Sequence, residues 1–231
     1  MATFVLVHGA WHGGWCWNRV AKILRSKGHD VYAPTLTGVC ERSHLANKDV
    51  SLDTHIADIV GEIKWNELKD VVLVGHSYGG LIVSGVCEKI GSKVGSLVML
   101  DAFVSENGQS LVDMQPPAAA KAFNDLEAKG EWRVPARSAA MFQVNEKDQA
   151  WVDAQCTVHP IKCFTQKLAL TGARDRVPKK AYIRASQPSE PFDQSKARTK
   201  AAGWRIYDVP CGHDVMVDMP DRLAEILIEV A

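Results

Sequence analysis

The stretch Val71-Val-Leu-Val-Gly-His-Ser77-Tyr-Gly-Gly80 decides how the chain folds. It begins as an unbroken apolar run, which is typical of a parallel strand buried on both faces. The run passes into the pattern Gly-x-Ser-x-Gly, and residues with the apolar spacing of a helix follow. Glycines 75 and 79 let the backbone turn sharply, so we expect the hydroxyl of Ser77 to be exposed at the strand's end. The stretch therefore predicts a strand, a tight turn that carries a candidate nucleophile, and a helix.

Short β-rich runs alternate with helical patterns through most of the chain. The predicted strands are Phe4–Val7, Asp30–Ala33, Asp70–Val74, Leu97–Leu100, Ala181–Ala185 and Trp204–Val209. The predicted helices are residues 15–27, Leu52–Ile63, Leu81–Ile90 and Pro220–Val230. This order predicts an α/β fold with a mostly parallel sheet and helices on both of its faces.

Residues 105–178 interrupt the alternation. They contain Pro116-Pro117 and helical patterns at 118–129 and 138–154, but no clear strand. We expect a small helical cap, inserted after the strand that ends near Leu100, within a single domain of residues 1–231. Its large apolar side chains could line a pocket, although packing against the sheet is the simpler expectation for each. They are Phe123, Trp132, Met141, Phe142 and Trp151.

The composition favours a small-molecule partner. The 231 residues include 27 Lys+Arg and 27 Asp+Glu, so the formal net charge is zero. Proteins that bind nucleic acid or anionic membranes carry a basic excess, and none is present here. Six scattered cysteines without a Cys-x-x-Cys pair, and a start with no signal-like segment, predict a cytoplasmic protein with reduced thiols and no metal site.

Two further motifs follow the first and last predicted strands. His8-Gly-Ala10-Trp-His-Gly-Gly14 would lie at the same sheet edge as Ser77, where the backbone N–H groups of Ala10 and Tyr78 could form an oxyanion hole. Asp208-Val-Pro-Cys-Gly-His213-Asp214 supplies a histidine, the side chain best suited to take the serine's proton near neutral pH. The remaining histidines are expected to be surface, packing or structural residues; among them are His29, His44, His55, His76 and His159.

Together these motifs resemble the α/β-hydrolase superfamily, within it the plant methyl-esterase and hydroxynitrile-lyase group and its bacterial esterase relatives. The similarity runs nearly end to end, through residues 4–10, 12–15, 36–38, 75–80, 101–103 and 212–213. The resemblance implies that Ser77 is the nucleophile, His213 the base, and the N–H groups of Ala10 and Tyr78 the oxyanion donors. Lyases of this group carry threonine in place of Gly9 and lysine in place of Asp214, so both positions favour the esterase branch.

The chain departs from the family pattern at the acid of the catalytic triad. The family places this carboxylate shortly after the penultimate strand, where the present chain has Pro188. Asp101 could replace it from the end of the strand after the Ser77 helix. Asp193 or Glu190 could do so from the segment downstream of Pro188, and a site without an acid is the remaining alternative.

The sequence thus predicts a carboxylesterase-type serine hydrolase that cleaves small carboxylic esters through an acyl-enzyme, without metal or organic cofactor. Two alternatives stay open. One is a hydroxynitrile-lyase-like or other cofactor-free reaction that uses His213 as base, which a missing acid would favour. The other is a non-enzymatic sensor of a small ligand. The sequence also leaves open whether the chain forms a homodimer.

Overall fold

A computed structural model describes residues 1–231. Its strands are β1 (Thr3–Val7), β2 (Asp30–Tyr32), β3 (Val71–His76), β4 (Val94–Leu100), β5 (Arg133–Val134), β6 (His159–Pro160), β7 (Lys179–Ala185) and β8 (Arg205–Val209). Its α-helices are α1 (Asn18–Ser26), α2 (Leu52–Trp65), α3 (Gly79–Ile90), α4 (Pro117–Ala128), α5 (Glu146–Gln155), α6 (Lys162–Thr165), α7 (Glu190–Ala201), α8 (Val215–Asp218) and α9 (Pro220–Glu229). None of these helices is long and apolar enough to span a membrane.

Six strands form one parallel sheet in the order β2-β1-β3-β4-β7-β8. Strand β3 lies near the centre, and all six of its residues are buried, which explains its unbroken apolar run. Because side chains alternate along a strand, the sheet separates two apolar cores. Helices α2, α3 and α7 contribute to the core on one face, and α1, α8 and α9 to the core on the other. The predicted α/β fold with helices on both faces is confirmed.

The segment between β4 and β7 holds α4, α5 and α6, and two details predicted for it were wrong. A short antiparallel pair, β5 with β6, was not expected. The helical pattern at 138–154 becomes a helix only from Glu146 onward, and the residues before it form turns. Gln143 has a φ of 54°, which is incompatible with a right-handed helix, and the preceding Phe142 carbonyl bonds the His213 N–H instead.

The first predicted helix also differs, because residues Gly14–Trp17 form a 3₁₀ turn before α1 begins.

Close packing of α3 against β3 explains the glycine at position 75. A Cβ placed there would lie 2.6 Å from the Gly79 carbonyl oxygen and 2.8 Å from Val83 Cγ2. The helix could not begin this close to the strand's end if residue 75 carried a side chain. The glycine therefore sets the distance between the strand and the helix that flank Ser77.

We predict that Gly75→Ala destabilises the protein by roughly 1–3 kcal/mol, because the added methyl group overpacks this turn. Gly61→Ala is the matched control, since a Cβ at this position in α2 meets only Trp65 Cδ1, at 3.8 Å. Alanine has the higher helix propensity, so this variant should be more stable by about 0.5–1 kcal/mol. Urea unfolding of both variants measures the difference, and wild-type stability in Gly75→Ala would contradict the packing argument.

Candidate active site

Ser77 occupies the turn between β3 and α3 in the left-handed region of backbone conformation, with a φ of 54°. Its N–H donates to the Leu100 carbonyl at 3.1 Å, and its own carbonyl accepts from Gly80 and Phe103 at 3.1 and 3.2 Å. Such a conformation is costly for a residue with a Cβ and persists where the surrounding structure enforces it. These hydrogen bonds hold the serine rigidly at the carboxyl edge of the sheet, where its side chain reaches the cavity described below.

The backbone amides of Ala10 and Tyr78 are free to donate. Neither N–H makes a hydrogen bond within the protein, although nearly all buried amides do. Both residues line the same cavity as Ser77, and Tyr78 directly precedes α3, whose N-terminus carries a partial positive charge. The two amides that the sequence singled out are thus unpaired and border the nucleophile's cavity, as an oxyanion hole requires.

His213 lies in the loop after β8, between two aromatic rings. Its ring stacks on Phe192 with centroids 4.9 Å apart, and the tilted ring of Phe142 lies 5.5 Å away. Its Nδ1–H donates to Asp101 Oδ2 at 2.7 Å. His213 and Ser77 line one cavity without a hydrogen bond between their side chains. Such bonds are often long in the absence of substrate and shorten when it binds.

Asp101 follows β4 directly and is fully buried. Its Oδ1 accepts from Arg184 Nη1 at 2.7 Å and from the Ala185 N–H at 3.1 Å, while Oδ2 accepts from His213. Its φ of 41° is again in the left-handed region. The carboxylate thus has three donors, which offset the cost of burying its charge and fix its direction toward the imidazole.

The two other candidate acids do not reach the histidine. The side chain of Asp193 is 62% exposed and pairs with Arg184 Nη2 at 2.9 Å. Glu190 is exposed at the border of the cavity and accepts a hydrogen bond from Gln194 at 3.1 Å. Pro188 lines the cavity but offers no carboxylate. Of the three candidates, the structure brings only Asp101 into contact with His213.

A second buried charge pair, which the sequence reasoning missed, lies next to these residues. His12 donates from Nε2 to Asp214 Oδ2 at 2.9 Å and from Nδ1 to the Ala10 carbonyl at 2.8 Å. Two acceptors on one imidazole require both nitrogens to carry protons. Burial alone would lower the pKa of His12, but the Asp214 carboxylate raises it above its ordinary value. The charged pair anchors the loop that presents the Ala10 amide.

Asp214 also lies close to His76, the residue before Ser77, with 3.9 Å between Asp214 Oδ1 and His76 Nε2. Burial opposes ionisation of Asp214, yet His12 and the neighbouring histidines hold its pKa well below the usual range. His76 Nε2 donates to the His213 carbonyl at 3.1 Å, and burial lowers the pKa of His76, so this ring is neutral. The sequence did contain a signal for this pair. Asp214, a charged residue, directly follows the candidate catalytic histidine in a segment otherwise expected to be buried, so it needs a partner of opposite charge.

Two groups of buried side chains have the residue types of a metal site. One is His55, His159 and Cys163, and the other contains Asp214 with two histidines already described. Both nitrogens of His55 are occupied by hydrogen bonds, to the Tyr78 hydroxyl at 3.1 Å and to the Thr37 carbonyl at 2.8 Å. His159 Nε2, His76 Nδ1 and Asp214 Oδ1, in contrast, are buried without a hydrogen-bond partner, so hydrogen bonds within the protein engage only part of each group.

The cavity above Ser77 has a volume of about 340 Å³ and is roofed by the cap. Three of the five large apolar cap residues considered above line it, namely Phe123, Met141 and Phe142. The other two pack elsewhere: Trp151 contacts Trp15 with ring centroids 5.0 Å apart, and the Arg133 guanidinium lies 4.1 Å from the Trp132 ring. A cavity of this size admits a small organic molecule.

Fold and site together define a hydrolase of the α/β type, and comparison with known proteins agrees. Residues 4–226 match the model of the alpha/beta hydrolase family. The chain therefore belongs to this family and is an enzyme of the carboxylesterase type, which confirms the resemblance seen in the sequence.

The extent of the similarity differs between individual relatives. The chain is 44% identical to a carbendazim hydrolyzing esterase from Nocardioides sp., covering 97% of this chain and 98% of the relative. It is 37% identical to the protein named "Putative methylesterase 11, chloroplastic" of Arabidopsis thaliana, over 55% of this chain and 33% of the relative. Among solved structures, an extracellular alpha/beta-hydrolase from a Paenibacillus species superposes with a TM-score of 0.87 at 25% identity, covering 100% of this chain and 99% of that one.

We predict that Asp214→Asn destabilises the protein by about 3–5 kcal/mol, because it leaves the buried His12 charge without its partner. The raised pKa of His12 means that the pairing stabilises the fold fully below the ordinary pKa of 6.5 and less as pH rises through the raised value. The lowered pKa of Asp214 preserves its contribution above its ordinary 3.8. The difference between wild type and variant should therefore be larger near about pH 5.5 than near about pH 8.5.

Urea unfolding at the two pH values provides the measurement. Asp125→Asn is the control, since it removes an exposed ion pair with Lys121 and should barely change the free energy of unfolding at either pH. A loss in Asp214→Asn that is equal at both pH values would show that His12 is not charged in the folded protein.

Proposed function

We propose that this protein hydrolyses small carboxylic esters through an acyl-enzyme on Ser77, with His213 as the base and Asp101 as the acid. The observation that carries the proposal is the 2.7 Å hydrogen bond from His213 Nδ1 to the buried Asp101 carboxylate. This bond leaves Nε2 as the free, basic nitrogen of a histidine that lines the cavity of Ser77.

In the first half of the reaction, Ser77 Oγ attacks the ester carbonyl carbon while His213 Nε2 takes the hydroxyl proton. The imidazolium that forms is stabilised by Asp101, and the carbonyl oxygen, now negatively charged, accepts hydrogen bonds from the Ala10 and Tyr78 amides. Each such donor contributes about 3–4 kcal/mol to the stability of the transition state. When the tetrahedral intermediate collapses, the ester C–O bond breaks and the alcohol leaves with the proton from His213.

In the second half, a water molecule attacks the acyl-enzyme carbonyl and gives its proton to His213. The intermediate collapses again, the proton returns to Ser77 Oγ, and the carboxylic acid is released. The same amides hold the oxyanion in both halves, so a single rigid site serves both steps.

The cavity supports small substrates with a flat apolar part. Its volume of about 340 Å³ and its phenylalanine walls suit an ester with one aromatic ring or a short chain. The relatives point the same way, because one is named as an esterase that hydrolyses carbendazim and others as methylesterases. These names support the cleavage of a small ester by this protein as well.

The alternative of a cofactor-free lyase reaction arose from the acid missing after β7. Asp101 supplies a carboxylate from β4, so that reason no longer applies. A Cβ at Gly9 would lie 2.9 Å from Ser77 Cβ, which leaves no room for the threonine that lyases of this group carry. A pure ligand sensor would have no need of the unpaired amides of Ala10 and Tyr78 beside a serine.

We predict that Ser77→Ala lowers kcat on short p-nitrophenyl esters by roughly 10⁴-fold or more, because the nucleophile is lost. Asp101→Asn should lower it at least about 100-fold, because the amide cannot hold the imidazole in the required tautomer. Asp193→Asn is the matched control: it alters the other carboxylate that pairs with Arg184 and should stay near wild type.

Mass spectrometry after treatment with a fluorophosphonate should find the label on Ser77 in wild type and none in Ser77→Ala. Turnover by Ser77→Ala at the wild-type rate would refute the acyl-enzyme. A wild-type rate in Asp101→Asn together with a large loss in Asp193→Asn would move the acid to Asp193. Thermal unfolding of each variant shows whether a loss of rate reflects a loss of fold.

A further inference from the structure

The guanidinium of Arg137, in the cap segment after β5, borders the cavity of Ser77. It lies 5.6 Å from the ring centroid of Trp11. Trp11 is itself fixed, since its Nε1–H donates to the Val134 carbonyl at 3.2 Å and its backbone N–H to His159 Nδ1 at 3.1 Å. A cation above an aromatic face is held without using its N–H groups, so the five donors of Arg137 remain available.

Nothing in the protein neutralises this charge. Arg137 is half-buried and makes no hydrogen bond and no ion pair, unlike Arg184, which binds two carboxylates nearby. Glu190 is the one acidic residue that lines the cavity, and its hydrogen bond comes from Gln194. Burial lowers the pKa of Arg137 with no opposing charge, yet a guanidinium keeps its proton. An unpaired, half-buried cation is costly and creates an attractive field for an anion.

The walls of the cavity limit the kind of molecule that could carry an anionic group to Arg137. Phe103, Phe123, Phe142 and Phe164 form apolar walls of a cavity of about 340 Å³. Trp11, beneath the guanidinium, directly follows Ala10, the residue that offers one of the oxyanion donors. The anionic group would therefore bind beside Trp11, and the phenylalanine walls would contact an apolar body that joins this group to the ester.

We propose that Arg137 binds a carboxylate of the substrate, so that the preferred substrates are monoesters of aromatic dicarboxylic acids. The inference rests on the proposed function, because Ser77 must cleave the ester at the other end of the molecule. A guanidinium matches a carboxylate with two parallel hydrogen bonds, and its planar donors suit this geometry better than an ammonium group does. The apolar walls then select the aromatic body of the substrate.

The test compares kcat/KM for monomethyl phthalate, monomethyl isophthalate and monomethyl terephthalate with that for methyl benzoate, which lacks the second carboxylate. Wild type should prefer at least one of the three half-esters by about tenfold or more, chiefly through KM. Arg137→Met should lower this preference at least about tenfold, whereas Arg137→Lys, which keeps the charge, should retain part of it. Arg133→Met is the matched control, because this exposed arginine lies outside the cavity.

Binding to the Ser77→Ala variant separates this inference from the proposed function. Calorimetry should show that at least one of phthalate, isophthalate and terephthalate binds more tightly than benzoate, and that adding Arg137→Met removes the difference. If no ester is hydrolysed but this binding difference is seen, the proposed function fails and the role of Arg137 stands. If esters are hydrolysed but wild type and Arg137→Met show the same ratio, or no half-ester is preferred, the role of Arg137 is refuted.

Discussion

A fully buried carboxylate, that of Asp101, accepts hydrogen bonds from Arg184 and Ala185 at the end of β7 and from His213 after β8. Burying a charge is costly unless donors surround it, and here the donors come from parts of the chain more than 80 residues further along. The contact therefore exists only when the sheet has its native strand order. It fixes the tautomer of His213, and in the proposed mechanism this leaves Nε2 free to take the proton of Ser77.

The parallel sheet makes this arrangement possible, because the carboxyl ends of its strands meet at one edge. Ser77 follows β3, Asp101 follows β4, and the loop of Ala10 follows β1. Strain is concentrated at the same edge, where Ser77 and Asp101 both have positive φ values. The buried pair of His12 and Asp214 holds the loop of Ala10 through the hydrogen bond from His12 to the Ala10 carbonyl, and residues of the cap line the cavity of Ser77. The sheet edge thus positions the candidate site, and the segment between β4 and β7 lines part of the cavity.

Local patterns made the fold and half of the site predictable. The turn at Ser77, the strands of the sheet and the histidine after the last strand are each marked by a short stretch of sequence, and each was predicted from it. The acid was not decidable, because its contact with His213 depends on how β4 pairs with β7, and three carboxylates fitted the sequence. The turns at 138–145 and the pair of His12 with Asp214 were missed for the same reason: contacts distant in sequence determine both.

The bond between Asp101 and His213 can be observed directly by ¹⁵N-edited NMR of the histidine rings at neutral pH, with His213 assigned from a His213→Gln variant. We predict that the proton of His213 lies on Nδ1, with a strongly deshielded resonance that disappears in Asp101→Asn and persists in Asp193→Asn. A proton on Nε2, or a resonance that survives in Asp101→Asn, would contradict the assignment of Asp101 as the acid that orients the base.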